Sequence, residues 1–99
     1  MGKLVRDKVP RIIEESGKKV KVRTLSDDEF KDEVYNKLRE EVEELCEKRN
    51  SEEMADVLEV IKAIHYSDPD TYDDVFRQSV KKRKERGSFY NKKYLEEVN

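Results

Sequence analysis

The sequence has few of the residues that define extracellular, fibrous or membrane proteins. Its 99 residues include one cysteine, three glycines, two prolines and no tryptophan. The lone Cys46 excludes an internal disulfide and a cysteine-based zinc site, and the glycine and proline content excludes a low-complexity linker. No stretch approaches the roughly 18 apolar residues of a membrane span, and no secretory signal is recognisable. We therefore expect one domain (1–99) in the cytoplasm, without a membrane partner.

Charge, by contrast, is abundant and unevenly distributed. Charged residues make up 46% of the chain and apolar residues 34%, with a formal net charge of −2. The segments 1–23, 24–60 and 61–99 carry net charges of +5, −9 and +2. Most such charges belong to solvated helix faces. The informative charges are those that fall inside an otherwise apolar helix face.

Capping signals predict two long helices in the acidic centre. A capping box at residues 26–29 (Ser-Asp-Asp-Glu) predicts a helix over 27–48. A second box at residues 50–53 (Asn-Ser-Glu-Glu) predicts a helix over 51–66. The connection between them is short, so the two helices should be antiparallel neighbours with facing apolar stripes.

Weaker signals mark the ends of the chain. A short helix capped by Asp7 is predicted up to about Ser16, and alternating side chains predict a short strand over 20–24. A third main helix should begin after a cap at Asp70 and end near Arg86, before a glycine. The predicted fold class is all-α: an antiparallel bundle of three main helices and a short N-terminal helix. Because the apolar content is thin, a second copy should complete the bundle.

Two carboxylates of the first long helix fall at its apolar face. With about 100° per residue, Glu41 lies about 20° from Phe30, inside the stripe, and Glu44 lies on the stripe's edge. Lys37 falls between them. The apolar members of this stripe are Phe30, Val34, Leu38, Val42 and Leu45. A lone glutamate in a stripe is often only an ion-pair partner of a lysine.

The second long helix repeats this arrangement. Glu53 falls within its apolar arc and Asp56, three residues on, falls on the edge of the arc. If the two stripes face each other, four carboxylates converge in a partly desolvated space, where mutual repulsion must be compensated. An all-oxygen donor set favours Mg²⁺, with Mn²⁺ as a substitute, over Zn²⁺.

These carboxylates form a pattern that resembles a known family. Residues 40–44 read as EExxE and residues 53–56 as ExxD, which is similar to the signature of the MazG-like superfamily of all-α nucleoside triphosphate pyrophosphohydrolases. The segments 3–10 and 84–89 resemble a compact house-cleaning subgroup related to phosphoribosyl-ATP pyrophosphohydrolase. Only eight residues separate Glu44 from Glu53, fewer than is typical of MazG itself.

The resemblance implies a chemistry and a set of site residues. The implied reaction is hydrolysis of a nucleoside triphosphate between its α- and β-phosphates, giving a monophosphate and pyrophosphate. Glu40 would help to position metal or water, and Glu41 would share in catalysis. The implied ligands of Mg²⁺ are Glu41, Glu44, Glu53 and Asp56. The assembly expected from the incomplete helical bundle is a homo-oligomer, either a dimer or a dimer of dimers.

A triphosphate also needs cations, because carboxylates alone repel it. The candidates for binding phosphate are Lys3, Arg6, Lys37, Arg83 and Arg86. The planar fork of arginine suits phosphate oxygens, and the helical wheel predicts that Arg83 points inward. With one histidine and one cysteine in the chain, a metal-activated water is a better nucleophile than a side chain.

Another class of function competes with the enzyme. The basic run 81–86 suggests a helical interaction module associated with nucleic acid. The negative net charge and the lack of a recognised nucleic-acid module make nucleic acid the less favoured partner. A family member that has lost activity and only senses nucleotides is a third possibility, which the full set of four carboxylates disfavours.

Overall fold

The computed structural model describes residues 2–99 and is all-helical over that range. No strand occurs among these residues, so the all-α prediction is confirmed. Across the same range, no helix combines the length and apolar character needed to cross a bilayer. The helices are α1 (Val9–Glu15), α2 (Asp27–Lys48), α3 (Ser51–Ser67) and α4 (Val75–Arg86).

The caps of the two long helices explain where each begins. The Ser26 hydroxyl accepts a hydrogen bond from the Glu29 N–H at 3.2 Å, and the Ser26 N–H donates to the Glu29 carboxylate at 3.1 Å. This reciprocal pair is the predicted capping box. At α3 only half of a box forms: the Asn50 side chain accepts from the Glu53 N–H at 2.9 Å. The second predicted box is therefore incomplete, because the Glu53 carboxylate faces Lys48 instead.

The helices α2 and α3 pack against each other. Only Arg49 and Asn50 separate them, so they must run in opposite directions to share a contact surface. Arg49 closes α2 in the left-handed conformation (φ 49°) and donates its N–H to the Leu45 carbonyl at 2.8 Å. The buried apolar side chains of the described residues belong to this pair of helices: Val34, Val60 and Ile64.

Part of each predicted apolar stripe lies outside this small core. Val42, expected to be buried, is 40% exposed, and on α3 Met54, Leu58 and Ile61 are also exposed. The predicted stripes are wider than the surface that one partner helix covers, so each helix leaves apolar side chains in contact with solvent.

The first predicted segments need two corrections. The short N-terminal helix begins at Val9 after Lys8, with no side-chain cap, rather than after a cap at Asp7. The predicted strand over 20–24 is wrong, because those residues have no regular structure. A strand needs a partner for its backbone N–H and C=O groups, and no other described segment is extended into a strand beside it.

The chain divides into two compact units after Pro69, and the second unit is Asp70–Asn99. Its helix α4 begins at Val75, five residues later than the predicted cap at Asp70. Asp74 adopts the left-handed conformation (φ 65°), which breaks any helix that would start earlier. The predicted end is confirmed: α4 ends at Arg86, and Gly87 (φ 82°) donates its N–H to the Arg83 carbonyl at 2.8 Å.

Candidate metal centre

Three of the predicted carboxylates come together where α2 faces α3. One oxygen each of Glu41, Glu53 and Asp56 lies within 4.8 Å of the other two. The side chains of Glu41 and Glu53 are only 13% and 14% exposed, so both are largely desolvated. Glu41 comes from α2 and the other two from the first turns of α3, which is the convergence that facing stripes predict.

The short connection between the helices creates this meeting point. Asn50 caps α3 through the Glu53 N–H, which places Glu53 in the first turn and Asp56 one turn later on the same side. The positive end of the α3 dipole also favours carboxylates there. Local capping and helical spacing are therefore sufficient to set two of the three carboxylates side by side.

Each clustered carboxylate has a cationic partner. Lys37 Nζ lies 3.1 Å from Glu41 Oε1, Arg6 Nη2 lies 2.7 Å from Asp56 Oδ1, and Lys48 Nζ lies 3.6 Å from Glu53 Oε1. The three ion pairs offset the repulsion among the carboxylates. Lys37 is 15% exposed, so its pair with Glu41 is the most shielded from water and from salt.

Glu44, the fourth predicted ligand, lies outside the group of three. Its Oε2 lies 2.8 Å from Lys48 Nζ, and the same ammonium lies 3.6 Å from Glu53. The hydrogen bond from Lys48 to the Glu44 carboxylate raises the pKa of Lys48. The negative charges of Glu44 and Glu53 raise it further. Lys48 was not among the predicted site residues, although its spacing of four residues from Glu44 is a recognisable signal for an ion pair.

Glu40 lies beside the cluster rather than in it. Its Oε1 is 3.4 Å from Lys37 Nζ and 3.6 Å from Lys3 Nζ. Lys37 thus bridges Glu40 and Glu41. The helical wheel placed it between Glu41 and Glu44, and Glu44 pairs with Lys48 instead. Of the five predicted phosphate-binding residues, the structure brings Lys3, Arg6 and Lys37 to the carboxylates.

The remaining two predicted phosphate-binding residues have a different setting. Arg83 and Arg86 belong to α4 in the second unit, and both are exposed. The expectation that Arg83 points inward is wrong, because its neighbours on the same face, Phe76 and Val80, are themselves 78% and 41% exposed. A helix face this exposed does not bury an arginine.

The donor set fits a hard divalent cation. Carboxylate oxygens are the ligands that Mg²⁺ and Mn²⁺ prefer. Two ligands on opposite sides of Mg²⁺ lie about 4 Å apart, so oxygens within 4.8 Å of one another need small side-chain movements to share an ion. Glu41, Glu53 and Asp56 are the residues that would hold it.

A cavity of about 260 Å³ adjoins this cluster and is lined by Glu41, Asp56, Lys37 and Arg6 at one end. A wider depression of about 1330 Å³ lies beside the start of α2 and includes none of the clustered carboxylates. Of the three clustered carboxylates, Glu41 and Asp56 therefore line the smaller space.

The chain has a short likeness to a known protein. The chain is 51% identical over 45 residues to an uncharacterized protein of Mycolicibacterium smegmatis. The match covers 46% of this chain and 46% of that protein, so the chain spans less than half the length of this relative. No protein-family model and no solved structure matches the chain.

Proposed function

We propose that the protein is a Mg²⁺-dependent nucleotide pyrophosphohydrolase of the MazG-like superfamily. It would cleave a nucleoside triphosphate between the α- and β-phosphates and release a monophosphate and pyrophosphate. The observation that carries this proposal is the convergence of Glu41, Glu53 and Asp56 within 4.8 Å. These are residues of the EExxE and ExxD segments, and they meet from two successive helices.

The chain's own residues have distinct tasks in this reaction. Glu41, Glu53 and Asp56 would hold the metal, with Glu44 as a fourth carboxylate ligand. Mg²⁺ would supply charge neutralisation for the phosphates and a water of lowered pKa. Glu40, half-exposed beside Glu41, would accept a hydrogen bond from the attacking water and orient it.

Phosphate binding falls to the cations of the first unit. Lys3, Arg6 and Lys37 already lie within ion-pair distance of the site's carboxylates. The phosphate oxygens of a triphosphate would offer these cations new partners. Positioning and electrostatic stabilisation of this kind carry most of the catalysis in phosphoryl transfer.

The proposal includes a homo-oligomer, most simply a dimer whose second copy completes the helical bundle. The exposed apolar side chains of α3, Met54, Leu58 and Ile61, form the surface that a second copy would cover. Leu58→Glu should give a monomer by light scattering, whereas Lys62→Gln, which changes the net charge by the same amount one turn away, should not. An unchanged mass for Leu58→Glu would contradict this interface. The cytoplasmic location expected from the sequence belongs to the same proposal.

A panel of nucleoside triphosphates tests the reaction. The full chain is incubated with each triphosphate in millimolar MgCl₂ or in excess EDTA, and pyrophosphate and orthophosphate are measured separately. We expect pyrophosphate as the first product from at least one triphosphate, and none in EDTA. Orthophosphate as the first product would contradict cleavage between the α- and β-phosphates.

The interaction module is the second candidate, because every residue of the basic run 81–86 is exposed on α4 and its end. An interaction module of this kind should bind RNA or DNA, with an affinity that falls steeply as the salt concentration rises. It also requires that the binding be indifferent to Glu53→Gln. Pyrophosphate release that depends on Glu53 would decide for the enzyme.

A further inference from the structure

The cavity beside the carboxylates has two chemically different ends. Glu41 and Asp56 line one end, and Phe30 and Tyr66 line the other. Between them the lining includes the apolar side chains of Val34, Val60 and Ala63 and one further carboxylate, that of Glu59. A space that is acidic and basic at one end and aromatic at the other suits a ligand with the same polarity: a phosphate group joined to a flat ring.

The length of the cavity follows from the helices that form it. Phe30 and Glu41 are eleven residues apart on α2, and Asp56 and Tyr66 are ten residues apart on α3. At about 1.5 Å per residue, both spans are about 15 Å. The aromatic end therefore lies two to three helical turns from the carboxylates, far enough for a sugar to lie between a phosphate and a base.

The Tyr66 ring is exposed enough to contact a ligand and is not part of the buried core. It is 67% exposed, and it lines both the cavity and the wider depression beside α2. The aromatic end thus opens toward solvent, which gives a base a route of entry. Base–aromatic stacking tolerates any nucleobase, because every base has a π-face.

We propose that this cavity is the nucleoside subsite, with the base stacked on Tyr66 and the α-phosphate toward Glu41 and Asp56. The subsite rests on the proposed function for its position next to the metal ligands. Its volume of about 260 Å³ is near the lower limit of about 300 Å³ for ligand pockets. A space of this size accommodates a single nucleotide.

Binding measurements on the full chain test the subsite without any reaction. The probes are adenosine, guanosine, cytidine and uridine monophosphates, with ribose 5-phosphate as the ligand that lacks a base, titrated calorimetrically in millimolar MgCl₂. We expect at least one nucleotide to bind about tenfold tighter than ribose 5-phosphate, the effect typical of one stacked base. Equal affinity of all five probes would overturn the proposal.

Substitutions then locate the base. Tyr66→Ala should remove the preference for the nucleotide over ribose 5-phosphate, and Tyr66→Phe should keep it, since the ring remains. Tyr35→Ala is the matched control, because Tyr35 lies on α2 and lines neither space. Ala63→Leu, which fills the cavity from its wall, is a second variant and should also remove the preference. Circular dichroism shows that each variant retains its helices.

The outcomes separate the subsite from the reaction. If Tyr66→Ala and Ala63→Leu both retain the preference, the base binds elsewhere and the subsite is overturned, even when pyrophosphate release is intact. If the preference depends on Tyr66 but no triphosphate yields pyrophosphate, the subsite stands and the proposed reaction fails.

Discussion

Arg6 Nη2 donates a hydrogen bond to Asp56 Oδ1 at 2.7 Å, across fifty positions of the sequence. This contact ties the N-terminal segment to α3 at the carboxylate cluster. The segment 3–10, which carries part of the family resemblance, is therefore part of the site's surroundings and not a detached tail. Arg6 both fixes this segment and holds a cation beside the carboxylates.

Arg6→Met should reduce pyrophosphate release far more than it reduces stability. Both partners of the Arg6–Asp56 pair are about half-exposed, so its loss should cost about 1 kcal/mol or less in unfolding free energy. Urea unfolding and steady-state kinetics measure the two effects. Arg11→Met, which removes the exposed pair with Glu15 on α1, is the control and should leave turnover unchanged. Equal turnover of the two variants would contradict a role for Arg6.

Lys48→Met should make the protein more dependent on metal. Lys48 offsets the charges of Glu44 and Glu53, so its removal leaves their repulsion uncompensated when no cation is bound. We expect a lower Tm in EDTA and a larger rise in Tm with MgCl₂ than in the wild type. Lys62→Met, at an exposed position of α3, should match the wild type. An identical metal-induced rise in all three proteins would count against the cluster as the binding site.

Stability should depend on very few apolar side chains. Val34 is 1% exposed and packs where α2 meets α3. Val34→Ala should lower the free energy of unfolding by about 2 kcal/mol, because it removes buried methyl groups and leaves a void. Ile12→Ala, at a position that is 60% exposed on α1, should change it by about 0.5 kcal/mol or less. Urea denaturation compares them, and equal midpoints would show that Val34 is not a core residue.

The start of α2 should be sensitive to acid. Hydrogen bonds from Arg23 and from the Ser26 N–H lower the pKa of Glu29 from 4.5 to about 2. Because the folded-state value is the lower one, the stabilisation is complete above pH 4.5 and is lost as the pH falls toward 2. Arg23→Met should therefore lower Tm at neutral pH, with a difference from the wild type that shrinks in acid. A difference that stays constant with pH would contradict this linkage.

The helices were predictable where capping and periodicity agreed. The box at Ser26 and the spacing of apolar residues predicted α2 to the residue, and α3 ends one residue beyond its predicted end. The alternating pattern of residues 20–24 could not show that they form no strand. Alternation is a property of one segment, whereas a strand also needs a second segment to pair with. The late start of α4 depends on the backbone conformation of Asp74, which no side-chain pattern encodes.

The candidate site was predictable in its carboxylates and less so in its cations. Glu41, Glu53 and Asp56 follow from helical spacing and from one short connection. Contacts such as that of Arg6 with Asp56 depend on the path of an irregular segment, which sequence periodicity does not describe. Glu44 lies outside the group of three and pairs with Lys48. The Lys48 ammonium lies closer to Glu44 than to Glu53.

Pyrophosphate release by Glu53→Gln, compared with Glu52→Gln, tests the central claim most directly. Glu53 lies in the cluster, whereas its neighbour Glu52 is exposed, and both substitutions remove one charge from the first turn of α3. With a triphosphate that the wild type hydrolyses in MgCl₂, we predict that Glu53→Gln abolishes release and that Glu52→Gln keeps near wild-type turnover. Near wild-type turnover by Glu53→Gln would contradict the assignment of the metal site.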